Sequence, residues 1–369
     1  MAERSLATIR RVSSVDGIPG KDFIGLAHID GWQVIVRKAD IHADDLVVYM
    51  EPDSLLPEGA EWCSFLKDKH LRVMKMSGVR SEGIAFPLSI LPDGLDVTEG
   101  DDVTDVLGIR KWERPDATDV RELLDTKQKK KFPKWLLRLL RKPMFRSWLG
   151  KWLLPSKAWR GWPDFVSKTD ETRIQNAPWY LDKDQEWCVT EKLDGQSGTF
   201  IVRRIPKKLF KRESFEEYVC SRNVRLLKPD GSSYWKVWEK YDLPLHLKAL
   251  CQALNCEWVC IQGECIGPGI QGNKYQRKEP ELYAFNFITS RDGRWASGDG
   301  KALLEPLGIP WVPIIGNYKL PKTVDGMLFL AHGESAIEHT LREGVVCRTL
   351  DGKQSFKAVD PEFLLRWGE

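Results

Sequence analysis

Over residues 1–115, apolar and polar side chains alternate in short runs, the period of half-buried strands. Ile24-Gly25-Leu26-Ala27-His28-Ile29 and Trp32-Gln33-Val34-Ile35-Val36 are two such runs. Leu46-Val47-Val48-Tyr49-Met50 is a third, and Ser81-Glu82-Gly83-Ile84-Ala85-Phe86-Pro87 reads as a further single strand. Turn signals separate the first runs: Asp16-Gly17, Pro19-Gly20 and Asp30-Gly31. Many short strands in a small span predict a closed β-barrel, OB-like first, with an SH3-like barrel as the alternative.

The pattern changes over 116–165. Pro133-Lys134-Trp135-Leu136-Leu137-Arg138-Leu139-Leu140-Arg141 predicts a short amphipathic helix stopped at Pro143. From 166 to 369, strand-like and helix-like stretches mix around glycine-containing turns without a βαβ rhythm, predicting α+β architecture with antiparallel sheets.

Composition adds three points. The 369 residues suffice for two ordinary domains, and 42% hydrophobic with 30% charged residues is globular composition. The first twenty residues carry charges throughout, with no apolar signal-like core, and no apolar run approaches a membrane span of ~20 residues. Eight cysteines, several inside predicted strands, fit reduced core thiols of a cytoplasmic protein. Cys251, Cys256, Cys260 and Cys265 lack a CxxC pair and a histidine close downstream, a poor match to a structural zinc site.

Charge is unevenly spread. Between Thr126 and Pro163 there are twelve Lys or Arg and no Asp or Glu, against a net +3 for the whole chain. Five tryptophans (Trp135, Trp148, Trp152, Trp159, Trp162) interleave with these cations. Cations beside rings suit nucleic acid, with charge for the backbone and rings for unpaired bases. A helix packed on the neighbouring domain is a second reading. Contact with an anionic membrane surface through 127–162 is a third.

The chemistry centres on Glu191-Lys192-Leu193-Asp194-Gly195-Gln196-Ser197. A lysine at a strand end with a carboxylate two residues on places both groups on one face of extended chain. Four blocks follow in order: Ser221-Arg222-Asn223; Gln262-Gly263-Glu264, running into Gly267-Pro268-Gly269; Tyr283-Ala284-Phe285-Asn286-Phe287; and Glu343-Gly344-Val345-Val346-Cys347-Arg348 with Ser355-Phe356-Lys357. None is specific alone, but the ordered set over about 168–365 resembles the covalent nucleotidyltransferase superfamily. Within it, the Gly-Pro-Gly loop and the Tyr-Ala-Phe-Asn-Phe block look most like the ATP-dependent RNA ligases.

Domain order sharpens the resemblance. DNA ligases and capping guanylyltransferases of the superfamily carry an OB domain after the last motif, whereas here twelve residues follow Lys357 and the barrel comes first. That order is similar to the RNA ligase branch with an amino-terminal OB domain. The resemblance implies an OB-like barrel (1–115), a basic Trp-rich linker or insert (116–165) and an ATP-grasp-like ligase adenylation domain (166–369). DNA ligase and guanylyltransferase remain alternatives within enzymes. A non-catalytic nucleic-acid end-binding protein is the alternative from another class.

The resemblance also implies roles. Lys192 is the expected nucleophile on the α-phosphorus of ATP, giving a lysyl-adenylate. Asp194 and Glu343 are expected to hold a hydrated Mg²⁺ or Mn²⁺. Glu264 matches the residue that binds the ATP ribose hydroxyls, and Phe285 the ring that stacks on adenine, with Phe287 as the spare. Lys357 is expected to neutralise the α-phosphate. Many relatives have a second lysine where this chain has Ser355, leaving Lys353 or Arg348 as substitutes. Arg222 matches a contact to sugar or RNA end, and Arg173, in Thr172-Arg173-Ile174-Gln175-Asn176, a contact to ribose or phosphate. The implied partner is RNA, or an RNA-containing duplex with a nick; no obligate protein partner is implied.

Overall fold

The amino-terminal alternation folds into a set of small antiparallel sheets. In this computed structural model, residues 5–112, 159–206, 213–227 and 231–367 are described. The helix expected at Pro133–Arg141, and the basic segment up to residue 158, lie outside the described residues.

The barrel strands are β1 (Ala7–Arg11), β2 (Ser14–Ile18), β3 (Lys21–Ile29), β4 (Trp32–Arg37), β5 (Leu46–Met50), β6 (Ser54–Leu55), β7 (Val73–Met76), β8 (Val79–Glu82), β9 (Ile84–Pro87) and β10 (Arg110–Lys111). β1–β5–β9 and β2–β3–β4 form three-stranded sheets, with β7–β8 and β10–β6 as pairs. Alternation drives this. Ala27, Ile29, Trp32, Val34 and Val36 enter one apolar cluster with Val47 and Tyr49. The opposite face of β5, Val48 and Met50, enters another with Ile9, Leu56 and Phe86. A strand with both faces buried reads as the continuous apolar run Leu46–Met50.

One expected element differs. Ser81–Pro87 is not a single strand but the end of β8 and all of β9, broken at Gly83. Gly83 has φ +77°, and a Cβ there would lie 2.1 Å from the Met50 carbonyl oxygen. Only glycine accepts both the left-handed backbone and that approach.

Past the barrel come β11 (Trp159–Arg160), β12 (Glu186–Lys192), β13 (Gln196–Ile205), β14 (Ser214–Cys220), β15 (Arg225–Leu226), β16 (Trp258–Ile266), β17 (Glu281–Thr289), β18 (Gly293–Arg294), β19 (Ile314–Lys319), β20 (Gly344–Thr349) and β21 (Ser355–Val359). The helices are α1 (Ser233–Lys240), α2 (Leu243–Ala253), α3 (Ser297–Leu304), α4 (Val324–Ala331) and α5 (Pro361–Trp367). Among the described residues, no helix is long and apolar enough to cross a membrane.

The chain divides into two units by its internal contacts. The first comprises Met1–Glu113, Asp170–Asp194 and Val312–Glu369. It adds to the barrel the four-stranded sheet β19–β12–β20–β21, every pairing antiparallel. Its inner face carries Trp187, Val189, Val345, Cys347, Phe356 and Ala358, covered by Ile174, Met327 and Ala331. The second unit, Arg114–Thr169 with Gly195–Trp311, is built on the antiparallel sheet β11–β15–β14–β13–β16–β17–β18. The α+β class with antiparallel sheets is thus as expected. All eight cysteines are buried free thiols. Burial pushes the Cys260 and Cys265 thiols well above their ordinary value, as expected of core residues.

Gly83→Ala should destabilise the protein by about 2–4 kcal/mol, combining left-handed strain with a backbone clash. A chemical-denaturation midpoint within error of wild type would contradict the role assigned to this break.

Candidate active site

Directly opposed residues in antiparallel strands share a face, and this rule sorts the first unit's sheet. Val189, Cys347 and Phe356 are aligned on the core side. The other side therefore carries three rows: Lys192–Gly344–Val359, Thr190–Val346–Lys357 and Cys188–Arg348–Ser355. Lys192 ends β12, and Glu343 immediately precedes β20, so the pairing of Lys192 with Gly344 brings the amine to the carboxylate.

Lys192 Nζ forms an ion pair with Glu343 Oε1. Glu343 is buried, 7% exposed, and its carboxyl is pushed above the ordinary range. Burial is the main cause; the Lys192 charge opposes it, and the Asp194 charge reinforces it. Glu343 Oε2 is buried without a hydrogen-bond partner. A second carboxylate close enough to act on the first, beside an unsatisfied buried oxygen, suits a divalent cation that keeps several waters. Three or more ligating side chains do not cluster among the described residues, so Asp194 and Glu343 would hold it with solvent and substrate oxygens completing the shell.

Lys357 is 12% exposed and Nζ donates to Asp170 Oδ1 at 2.9 Å. Of the two substitutes for a second lysine, the structure brings only Arg348 to this face. Arg348 is buried, donates from Nη1 to Thr190 Oγ1 at 3.3 Å and lies 3.5 Å from Glu171 Oε1. Lys353 sits in the exposed turn between β20 and β21, 3.4 Å from Asp351. Ser355, in the departing position, donates to Glu171 Oε2 at 2.5 Å.

Arg173, expected at ribose or phosphate, is engaged by the barrel in this structure. It is 5% exposed, its guanidinium donates to Asp53 Oδ2 at 2.8 Å, and it lies over the Trp32 ring at 5.7 Å. Both partners belong to the barrel.

The remaining expected site residues belong to the second unit. Glu264 is on β16, opposite Ser197 on one side and Tyr283 on the other. The motif glycine Gly195 packs here: a Cβ would meet the Cys265 carbonyl oxygen at 2.4 Å and Glu264 Cγ at 2.9 Å. Glycine in Lys-x-Asp-Gly is therefore required by close approach of the chain to the Glu264 strand. The register between β16 and β17 slips after Gln262, pairing Gln262 with Asn286 and Gly263 with Ala284. Phe285 is the extra residue of that bulge and is half-buried. Phe287 is fully buried and edge-on to Trp295 at 5.1 Å. The bulge thus separates the two aromatics, leaving Phe285 as the ring with an accessible surface. Arg222 lies exposed in the turn between β14 and β15.

Sequence reasoning missed two groups. Glu191, beside the expected nucleophile, is buried on the core side of β12, and its Oε2 accepts from the Ala336 amide at 2.9 Å. Burial raises its carboxyl above the ordinary value. It anchors the loop leading to Glu343, and the alternation Trp187–Val189–Glu191 already assigns it an inward direction. Asp170 and Glu171, the counter-charges of Lys357 and Arg348, carry no signal in sequence.

Residues 185–359 match the RNA ligase family model, and residues 6–88 match an OB-fold domain model. Segment 185–359, just under half of the chain, carries the RNA ligase family's pattern. The chain's fold is similar to Naegleria gruberi RNA ligase with pyrophosphate, with TM-score 0.77 and 28% identity over 98% of each chain. A mutant of that protein with ATP and Mn gives TM-score 0.79 at 28% identity, covering 100% of this chain and 99% of the other. A second mutant, with AMP and Mn, gives 0.78 and 28% over 98% of each. No curated protein matches the chain significantly. The OB-fold match decides the barrel class in favour of the first expectation over an SH3-like barrel.

A divalent cation held by Glu343 would compete with protons for the carboxylate. Because its carboxyl is raised, protonation starts at higher pH than for an ordinary glutamate, about 4.3. Mn²⁺ should therefore raise the thermal midpoint near neutral pH, and the gain should fade as the pH falls, sooner than an ordinary glutamate would allow. Glu343→Gln should abolish the gain. An equal Mn²⁺ effect in that variant would remove Glu343 from the cation site.

Proposed function

We propose that this RNA ligase joins 5′-phosphate and 3′-hydroxyl polynucleotide ends, sealing nicks in RNA or RNA-containing duplexes with ATP. The observation that carries the reading is the buried ion pair of Lys192 with Glu343, on a sheet face that also bears Lys357 and Arg348. The RNA ligase family match and the Naegleria gruberi relative solved with ATP and Mn support it.

In the first step the Lys192 amine attacks the α-phosphorus of ATP. A nitrogen–phosphorus bond forms, the bond to the bridging oxygen breaks, and pyrophosphate leaves. A free lysine is charged near neutral pH, with pKa of about 10.4, so the amine must lose a proton first. When bound, hydrated Mg²⁺ or Mn²⁺ supplies positive charge to the triphosphate. Lys192 then shares Glu343 with that charge and loses the partner that favours its ammonium form. Lys357 and Arg348 would neutralise phosphate oxygens as the displacement proceeds. In the second unit, Glu264 would accept from the ribose hydroxyls, Phe285 would stack on adenine, and Arg222 would contact a sugar or RNA end. AMP then passes to a 5′-phosphate, and a 3′-hydroxyl attacks that activated end and releases AMP.

The three-part division (barrel 1–115, linker 116–165, adenylation domain 166–369) belongs to this reading, with the barrel docking the duplex beside the nick. So do nucleic-acid contact by the basic Trp-rich segment and an intracellular setting for the reduced thiols.

Incubation with α-labelled ATP and Mn²⁺, followed by denaturing electrophoresis, should leave label on the wild-type chain. Lys192→Ala should carry none, and Glu343→Ala should lose at least about a hundredfold in labelling rate. Label from GTP but not ATP, or from neither, would overturn the assignment.

A further inference from the structure

The lead-in segment 170–176 touches the site with one end and the barrel with the other. At the site end, Asp170 accepts from Lys357 Nζ at 2.9 Å. Glu171 accepts from Ser355 at 2.5 Å and lies 3.5 Å from Arg348. The backbone is joined as well. The Lys357 amide donates to the Thr172 carbonyl at 2.8 Å, and Arg173 forms a parallel bridge with Lys357.

At the barrel end, Arg173 donates to Asp53 at 2.8 Å and caps the Trp32 ring. Trp32 Nε1 donates to Asn176 Oδ1 at 2.9 Å, and Asn176 Nδ2 donates to Glu51 Oε1. The contact is close enough that a Cβ on Gly31 would meet the Gln175 Cα at 2.9 Å. Asp53 is itself fixed: its amide donates to the Leu71 carbonyl at 2.9 Å, and its carbonyl accepts from the Trp112 amide at 2.8 Å.

We infer that Arg173 is a positioning residue through which Asp53 and Trp32 of the OB barrel set the place of Lys357, making the barrel part of the lysine-adenylylation machinery. The inference rests on the reading of Lys192 as nucleophile and Lys357 as phosphate-binding cation. Its physical basis is that Arg173 and Lys357 share one backbone bridge. The guanidinium anchors one side of that bridge to a rigid barrel, and the ammonium projects from the other. A buried guanidinium held by a carboxylate and a ring face has one preferred placement, and small misplacement of a charge-neutralising group costs much in rate. A barrel that served only to dock RNA would have no effect on a step that involves ATP alone.

The test is single-turnover formation of the lysyl-adenylate, with no RNA present, by the full chain. Asp53→Asn keeps the shape and tolerates the left-handed backbone at this position, φ 72°, while removing the charge. It should slow adenylate formation about ten- to a hundredfold. Arg173→Lys keeps the charge, loses the forked contact and should behave alike. The double mutant Asp53→Asn/Lys357→Ala should be no slower than Lys357→Ala alone, because the two residues act on the same contact.

Independent, multiplying losses, or wild-type rates in both Asp53→Asn and Arg173→Lys, would overturn the inference. A wild-type chain that forms no adenylate overturns the underlying reading instead, so the two failures are distinguishable.

Discussion

A buried carboxylate paired with a lysine organises the first unit. Glu343 would be costly to ionise in apolar surroundings, and Lys192, brought opposite by the β12–β20 register, offsets that cost. The same burial that raises the Glu343 carboxyl leaves one of its oxygens without a partner. Under the proposed function, a second positive charge would take over the carboxylate and release the amine. Lys192 and Glu343 are brought together by one register, which a slip of one residue would invert.

Around this pair the sheet separates its two tasks by face. Trp187, Val189, Cys347 and Phe356 build the core on one side, and the cations line up on the other. Glu191 is the exception, a carboxylate on the core side. Its hydrogen bond to the Ala336 amide fastens the loop that delivers Glu343. A neighbour of Lys192 thus acts on the opposite face of the strand and through backbone geometry.

The segment 170–176 contributes a further level of order. Asp170 and Glu171 hold Lys357 and Arg348 from a short segment whose own place is fixed by Arg173 and Asn176 against the barrel. Arginine suits that anchor because its planar fork satisfies a carboxylate and lies on a ring at the same time.

The sequence by itself determined a good deal. Alternation placed β3, β4 and β5 closely, and the motifs singled out Lys192 and Glu343, which the structure joins. These were legible because strand period and motif chemistry are local properties. The break at Gly83 was not, since its cause is the Met50 carbonyl, a partner distant in sequence. Nor was the bulge in the pairing of β16 with β17, which leaves Phe285 half-buried while Phe287 is fully buried. Arg348 was preferred over Lys353 only once register put one on the site face and the other in a turn. Arg173 carried a motif position yet was engaged by Asp53, 120 residues away. Local pattern fixes which way a side chain can point; what it meets there is decided by contacts between distant segments, and those exist only in the folded chain.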